Sequence, residues 1–220
     1  MLYYIFMWIQ KEHFDFPSNL HGISHTLRVM LHTRLITTSF QSPGWFLNAS
    51  PEDITLAGRA AFRAAMIHDM ARKHDNEDFV HGADAAVEKY HLLSDRYEIL
   101  TEESQAIHIA CMRHSITDVS FKPTVNHLAT AILKDADALD RIRLGDLDPK
   151  RLRLRNSHHW IRFAEVLYEN FSDVENWEEM IDWVEAWYPQ VGLLINLQEI
   201  KMPSDYQLSD NFSPHDKLRT

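Results

Sequence analysis

Thr124-Val-Asn-His-Leu-Ala-Thr-Ala-Ile-Leu-Lys-Asp-Ala-Asp-Ala-Leu-Asp-Arg-Ile-Arg-Leu144 is the stretch whose periodicity decides the fold. Val125, Leu128, Ala129, Ile132, Leu133, Ala136, Leu139 and Ile142 recur at intervals of three and four, which predicts one long amphipathic helix that Gly145 stops. Asp135 and Asp137, two positions apart, point about 200° away from each other on such a helix, so only one can share a given face. Ala136, Leu139 and Ile142 mark the packed side, and Asp137 falls with Lys134, Asp140 and Arg141. Geometry leaves Asp135 open as the alternative.

The same period extends upstream. Leu20, Ile23, Leu27, Met30, Leu31 and Leu35 predict a helix from Asn19, a candidate cap, to about Phe40, with His21, His25, Arg28 and His32 on one face. Ser50-Pro51-Glu52-Asp53 joins a capping hydroxyl, a proline suited to the first helical position and two first-turn acids. A helix therefore starts there and runs through an Ala- and Phe-rich segment to His68. Arg72–Val80 reads as a charged loop. Further helices are expected from His81 and from Thr101-Glu-Glu-Ser to about His114, with Ile116–Pro123 as a connection. Residues 157–171 and 176–187 look helical, and 189–200 reads as a last short helix or irregular cover. No strand-like alternation or internal repeat is sustained, so the class is all-α. The expected architecture is a single-domain helical bundle: an N-terminal helix in 1–18, the main helical domain in 19–145, completing helices in 146–201 and a polar tail from 202 to 220.

The 220 residues can bury a full core, and an apolar content of 45% supports a globular chain. A net charge of −10 and no long basic stripe argue against nucleic-acid binding as the main task. Cys111 is the single cysteine, which excludes an internal disulfide and a Cys-rich zinc site and suggests a reducing, cytoplasmic setting. No apolar run approaches the roughly 20 residues that span a bilayer, so no membrane is expected. Self-association stays open. Fourteen histidines are a reason to look for metal.

A His-Asp pair, His68-Asp69, follows the apolar run 60–67. Alone it carries little, since such dipeptides arise by chance. With His25, His81, His114 and Asp137 it forms a set of imidazoles and carboxylates suited to Zn, Mn, Fe, Co or Ni, with Mg as a harder alternative. Helical bundles build such sites from inward-facing side chains.

The order His21-Gly-Ile-Ser-His25-Thr-Leu-Arg28-Val29, then His68-Asp69, then Asp137 within Asp-Ala-Asp-Ala-Leu-Asp-Arg, resembles the HD-domain superfamily of metal-dependent phosphohydrolases over residues 20–145. The downstream Leu147-Asp-Pro-Lys-Arg-Leu-Arg153 run resembles relatives as well. The resemblance implies an HD-type bundle in which His25, His68, Asp69 and Asp137 hold one divalent ion. His81 and His114 match the extra ligands of the two-metal branches, where Asp69 would bridge both ions. It also implies a small phosphorylated substrate, with a nucleotide the leading expectation, cleaved by a metal-activated water that Asp69 orients. Arg72 stands where many relatives carry a basic residue, which makes it a candidate to stabilise phosphate charge. Arg28, Arg141 and His21 are weaker candidates for substrate contact, and the two arginines read equally well as ties between helices. The Gly-Tyr-Pro signature of the cyclic-dinucleotide branch is missing. Two other readings stand beside the hydrolase: a di-iron oxygenase of the HD type, and a non-catalytic binding module braced by metal. His74-Asp75 repeats the dipeptide in the charged loop and is expected to be a flexible lid or substrate contact. Trp160, Trp177, Trp183 and Trp187 are expected in the core or an interface.

Overall fold

The computed structural model describes residues 8–40, 46, 48–118 and 120–188. Among them the chain is all-α. Its helices are α1 (Ile23–Thr38), α2 (Pro51–Ile67), α3 (His81–Asp84), α4 (His91–Ser94), α5 (Thr101–His114), α6 (Val125–Asp140), α7 (Ile161–Asn170) and α8 (Trp177–Trp187). A five-residue π-helical stretch, Ala85–Lys89, follows α3. Short 3-10 turns occupy Lys11–His13, Arg141–Leu144, Pro149–Arg151 and Arg155–Trp160. The expected 189–200 cover, the polar tail and residues 1–7 of the expected N-terminal helix lie outside the described residues; the described part of that N-terminal segment forms only the 3-10 turn.

Four helices make the core. α2 and α6 pack on each other, and α1 and α5 flank that pair. Leu27, Met30, Leu31, Leu35 and Ile36 from α1 are buried against Ala60, Ala61, Ala64 and Ile67 from α2, Ala106, Ile107 and Ala110 from α5, and Leu128, Ile132, Leu133 and Ala136 from α6. Each large aliphatic removed from water contributes about 1.5–3 kcal/mol. The many alanines of α2 leave room for close approach on its flanks, and a β-carbon on Gly58 would stand 2.1 Å from the Thr37 side chain of α1. α7 and the 3-10 turn before it lean on α1 and α6.

The helix ends follow local chemistry. Ser50 and Asp53 form a reciprocal capping box at α2, and the Thr124 hydroxyl accepts from His127 N at α6. The long helix expected to Leu144 tightens into a 3-10 turn after Asp140 and ends at Gly145, whose φ of 70° is the left-handed conformation that glycine adopts without strain. One boundary differs from expectation. Asn19 does not cap α1: the Ser18 hydroxyl accepts from His21 N, the chain turns through 18–22, and the helix begins at Ile23. Gly22 permits this turn, because a β-carbon there would lie 2.3 Å from the Ser18 carbonyl oxygen. No helix among the described residues is long and apolar enough to cross a membrane.

Candidate metal centre

The packing brings the ends of five elements to one place. His25 lies in the first turn of α1, and His21 in the turn just before it. His68 caps the C-terminus of α2 and Asp69 begins the following turn. His81 opens α3, His114 closes α5, and Asp137 sits in the last turn of α6. A helix end is where the chain can change direction, so a side chain there points along the bundle rather than into its packed flank.

Asp69 is the centre, with two different sides. Its Oδ2 accepts from His21 Nδ1 at 2.7 Å and lies 3.4 Å from His25 Nε2 and 3.8 Å from His68 Nε2. On the same side, His25 Nε2 is 3.2 Å from His68 Nε2 and 3.4 Å from Asp137 Oδ1. Its Oδ1 lies 2.9 Å from His81 Nε2 and 3.4 Å from His114 Nε2, and those two nitrogens are 2.8 Å apart. Among the described residues, groups whose ligand atoms lie close enough together to hold an ion include His21, His25 and Asp69; His25, His68 and Asp137; and His68, Asp69 and His114, and the Nε2 atoms of His81 and His114 stand equally close to Asp69 Oδ1.

The outer hydrogen bonds decide what those nitrogens offer. Nδ1 of His68 bonds the Ala65 carbonyl at 2.8 Å, Nδ1 of His81 the Asp78 carbonyl at 2.6 Å, and Nδ1 of His114 the Cys111 carbonyl at 2.7 Å. A carbonyl only accepts, so each Nδ1 carries the proton. His25 Nδ1 does the same towards Asp140 Oδ2 at 2.7 Å. In the neutral rings every Nε2 therefore presents a lone pair to the centre. Lone pairs facing one another at 2.8 and 3.2 Å repel unless a cation or proton lies among them. With donors about 2.1 Å from an ion, neighbouring donors stand about 3.0–3.4 Å apart. The donor set and its spacing thus fit a metal, and the outer acceptors are of the kind that orient metal-binding imidazoles.

Protonation follows the same logic. Burial lowers the His68 pKa to about 3, which keeps the ring neutral. Burial works against charge on Asp69, but the surrounding histidines, His68 first, hold the carboxyl well below its ordinary value wherever a proton faces it, as that of His21 Nδ1 does. Burial likewise opposes charge on Asp140, and His25 and Arg28 hold that carboxyl low. Asp137, with 30% of its side chain exposed, is the most open of these donors and marks the way in.

The second aspartate choice is closed. Asp135 is fully buried and accepts from Arg153 N, Leu154 N and Ser157 Oγ, so it braces the 149–157 segment, while Asp137 faces His25. The two arginines with a weaker expectation of substrate contact have other partners. Arg28 is buried, with Nε on Asp140 Oδ1 at 2.6 Å and NH1 on the Phe171 carbonyl at 2.7 Å; it ties α1 to α6 and to the segment after α7. Arg141 turns to Asp146 on the surface. In the loop dipeptide, Asp75 accepts from Ser18 Oγ at 2.6 Å, an exposed contact between the 72–80 loop and the turn before α1. Arg72 does reach the centre, with NH1 3.8 Å from Asp69 Oδ1 and NH2 donating to the Asn76 carbonyl at 2.8 Å.

Sequence reasoning gave no role to Asp140 or Arg143. Asp140 orients His25 and pairs with Arg28, and Arg143 links the Asp140 carbonyl to the Leu20 carbonyl beside His21. The usable signal was spacing: Asp140 follows Asp137 by three, as Arg28 follows His25, so both pairs share helix faces. The carbonyl acceptors leave no trace in side-chain identity. No family model, curated protein or solved structure matches the chain.

Proposed function

We propose that this chain is a metal-dependent phosphohydrolase of the HD type, acting on a phosphate ester or anhydride of a small molecule, with a nucleotide the leading candidate. The observation that carries this reading is the set of four imidazoles, each locked through Nδ1, that converge from both sides on Asp69. His25, His68, Asp69 and Asp137 would hold one divalent ion, and His81, His114 and the other oxygen of Asp69 a second. When bound, such ions lower the pKa of water towards 7 and polarise the phosphoryl oxygen.

The chain's own groups do the rest. Asp69, kept anionic, accepts a hydrogen bond from the attacking water and aligns it. Arg72 brings a permanent positive charge to the phosphoryl oxygens, where charge accumulates as the bond to the leaving group lengthens. His21, at the partly open edge of the centre, donates through Nδ1 to Asp69 and helps to hold that carboxylate in place. The imidazole-rich set is suited to Mn, Fe, Co, Ni or Zn more than to Mg.

The test joins metal content to turnover. Protein carrying its native ions is assayed against a panel of phosphorylated metabolites, beside His68→Ala and Asp69→Ala. Both variants are expected to lose bound ion and at least about a thousandfold in rate; full hydrolysis by a metal-free Asp69→Ala protein overturns the proposal. The four-histidine, two-aspartate set favours one further reading, the di-iron oxygenase. Tightly held iron, O₂ consumption and no phosphate release would select it.

A further inference from the structure

Arg72 sits where the second half of the centre has its greatest need for positive charge. Three electron-pair donors converge there: Asp69 Oδ1, His81 Nε2 and His114 Nε2, separated by 2.8–3.4 Å. Because His81 Nδ1 and His114 Nδ1 spend their protons on carbonyls, neither neutral ring can offset the crowding. The Arg72 guanidinium lies beside them, against the His81 ring, its NH1 3.3 Å from His81 Nε2, 3.4 Å from His81 Nδ1 and 3.8 Å from Asp69 Oδ1. Its hold is weak for a buried arginine. NH1 has the long contact to the imidazole, NH2 has the Asn76 carbonyl, and Nε has no hydrogen-bond partner although it is buried. Beside the first half the nearby arginines are spent elsewhere: Arg28 turns to Asp140 by Nε and NH2, and Arg143 to Asp140 and the Leu20 carbonyl.

We infer that Arg72 is an internal competitor of the second ion: its guanidinium neutralises the Asp69, His81 and His114 donors while that half is empty, and yields when a divalent ion enters. The inference rests on the two-ion reading of the same site and gives that reading a control. A monocation and a dication that share one set of donors repel each other, so the second ion binds at the cost of the arginine's contacts. The freed guanidinium then has one nearby use, the anionic phosphoryl group of the substrate. By linkage, whatever anion holds Arg72 away from His81 also favours the second ion. The half with His25, His68 and Asp137, where Arg28 and Arg143 are already held by Asp140 and the Leu20 carbonyl, fills first.

The full chain is dialysed against graded Mn(II), the ions per chain are counted by elemental analysis, and both affinities are fitted. Neutral variants Arg72→Met and Arg72→Gln are expected to tighten the second ion at least about tenfold and to leave the first within about threefold, while Arg72→Lys, which keeps the charge, stays within about threefold of the unmodified chain at both. Second-ion affinity that is unchanged or weaker in the neutral variants, or that rises equally in Arg72→Lys, overturns the inference. The unmodified chain supplies a second readout that needs no variant: the Nε–H NMR signal of Arg72 is expected to move with the second equivalent of Zn(II) and not with the first, and a signal that moves with the first alone or with neither also overturns it. If no second ion binds to any of the proteins, this inference and the two-ion reading fall together; phosphate release by the one-ion protein would then leave the hydrolase reading standing.

Discussion

His32 is the buried imidazole of α1 that the metal centre does not use. It is 1% exposed, and neither ring nitrogen has a hydrogen-bond partner. Burial lowers its pKa from 6.5 to about 4, with Asp140 opposing the shift and Arg28 adding to it. In the unfolded chain the ring takes a proton near pH 6.5; in the folded chain it does so only near 4. Between those values the unfolded state binds more protons, so stability falls as the pH drops through that window, by roughly 3 kcal/mol in all. Thermal melts from pH 7 to pH 4 are expected to show a steeper decline for the unmodified chain than for His32→Leu, and parallel curves would refute the assignment. Asp140 is the other residue that matters at this scale. It bonds His25 Nδ1 and Arg28 at once, so one carboxylate both orients a candidate ligand and neutralises a buried cation.

Among the elements, the contact between α3 and α5 carries the second half of the centre. Gly82 lies against the end of α5, and a β-carbon there would stand 2.3 Å from the Cys111 carbonyl oxygen and 2.8 Å from His114 Nδ1. Gly82→Ala would have to push α3 away, separating His81 from His114 and breaking the bond that orients His114. The expected result is a loss of about 1–3 kcal/mol of stability and of the second ion, with the first retained; elemental analysis showing two ions per chain in the variant would contradict it. The helices themselves were largely legible. Ser50 and Pro51 announced α2, the acidic first turn and His114 bracketed α5, and apolar spacing traced α6. These signals are local, because capping, proline geometry and amphipathic period act within a turn or two of chain. The start of α1 was not legible, since Ser18 and Gly22 shape a turn through a backbone approach that residue type alone does not specify. The π-helical stretch at Ala85–Lys89 carried no sequence signal either.

At the scale of the described residues, the candidate metal centre is the point where α1, α2, α3, α5 and α6 meet by their ends, so ions bound there would link all five. Anything that binds the folded state alone stabilises it by mass action, by about 2.7 kcal/mol at a hundredfold excess over Kd. Chelation is therefore expected to lower the melting temperature by several degrees and Mn(II) to restore it, read by differential scanning calorimetry; an unchanged melt after verified removal of ions would show that the centre does not brace the bundle. The sequence by itself determined the all-α class, most helix limits, the choice of His25, His68, Asp69, His81, His114 and Asp137 as candidates, and the unsuitability of the chain for disulfides. The class and the helix limits follow from composition and short-range periodicity, and the candidate ligand set from the resemblance of its motifs to the HD-domain superfamily. Only the tertiary structure decided that Asp137 and not Asp135 faces the centre, that Arg28 is a buried tie to Asp140, that His81 and His114 turn to the far oxygen of Asp69, and that Arg72 stands beside them. Each of these depends on where helix ends distant in sequence come to rest, and that is set by the packing of apolar faces and by backbone carbonyls, which every residue carries alike.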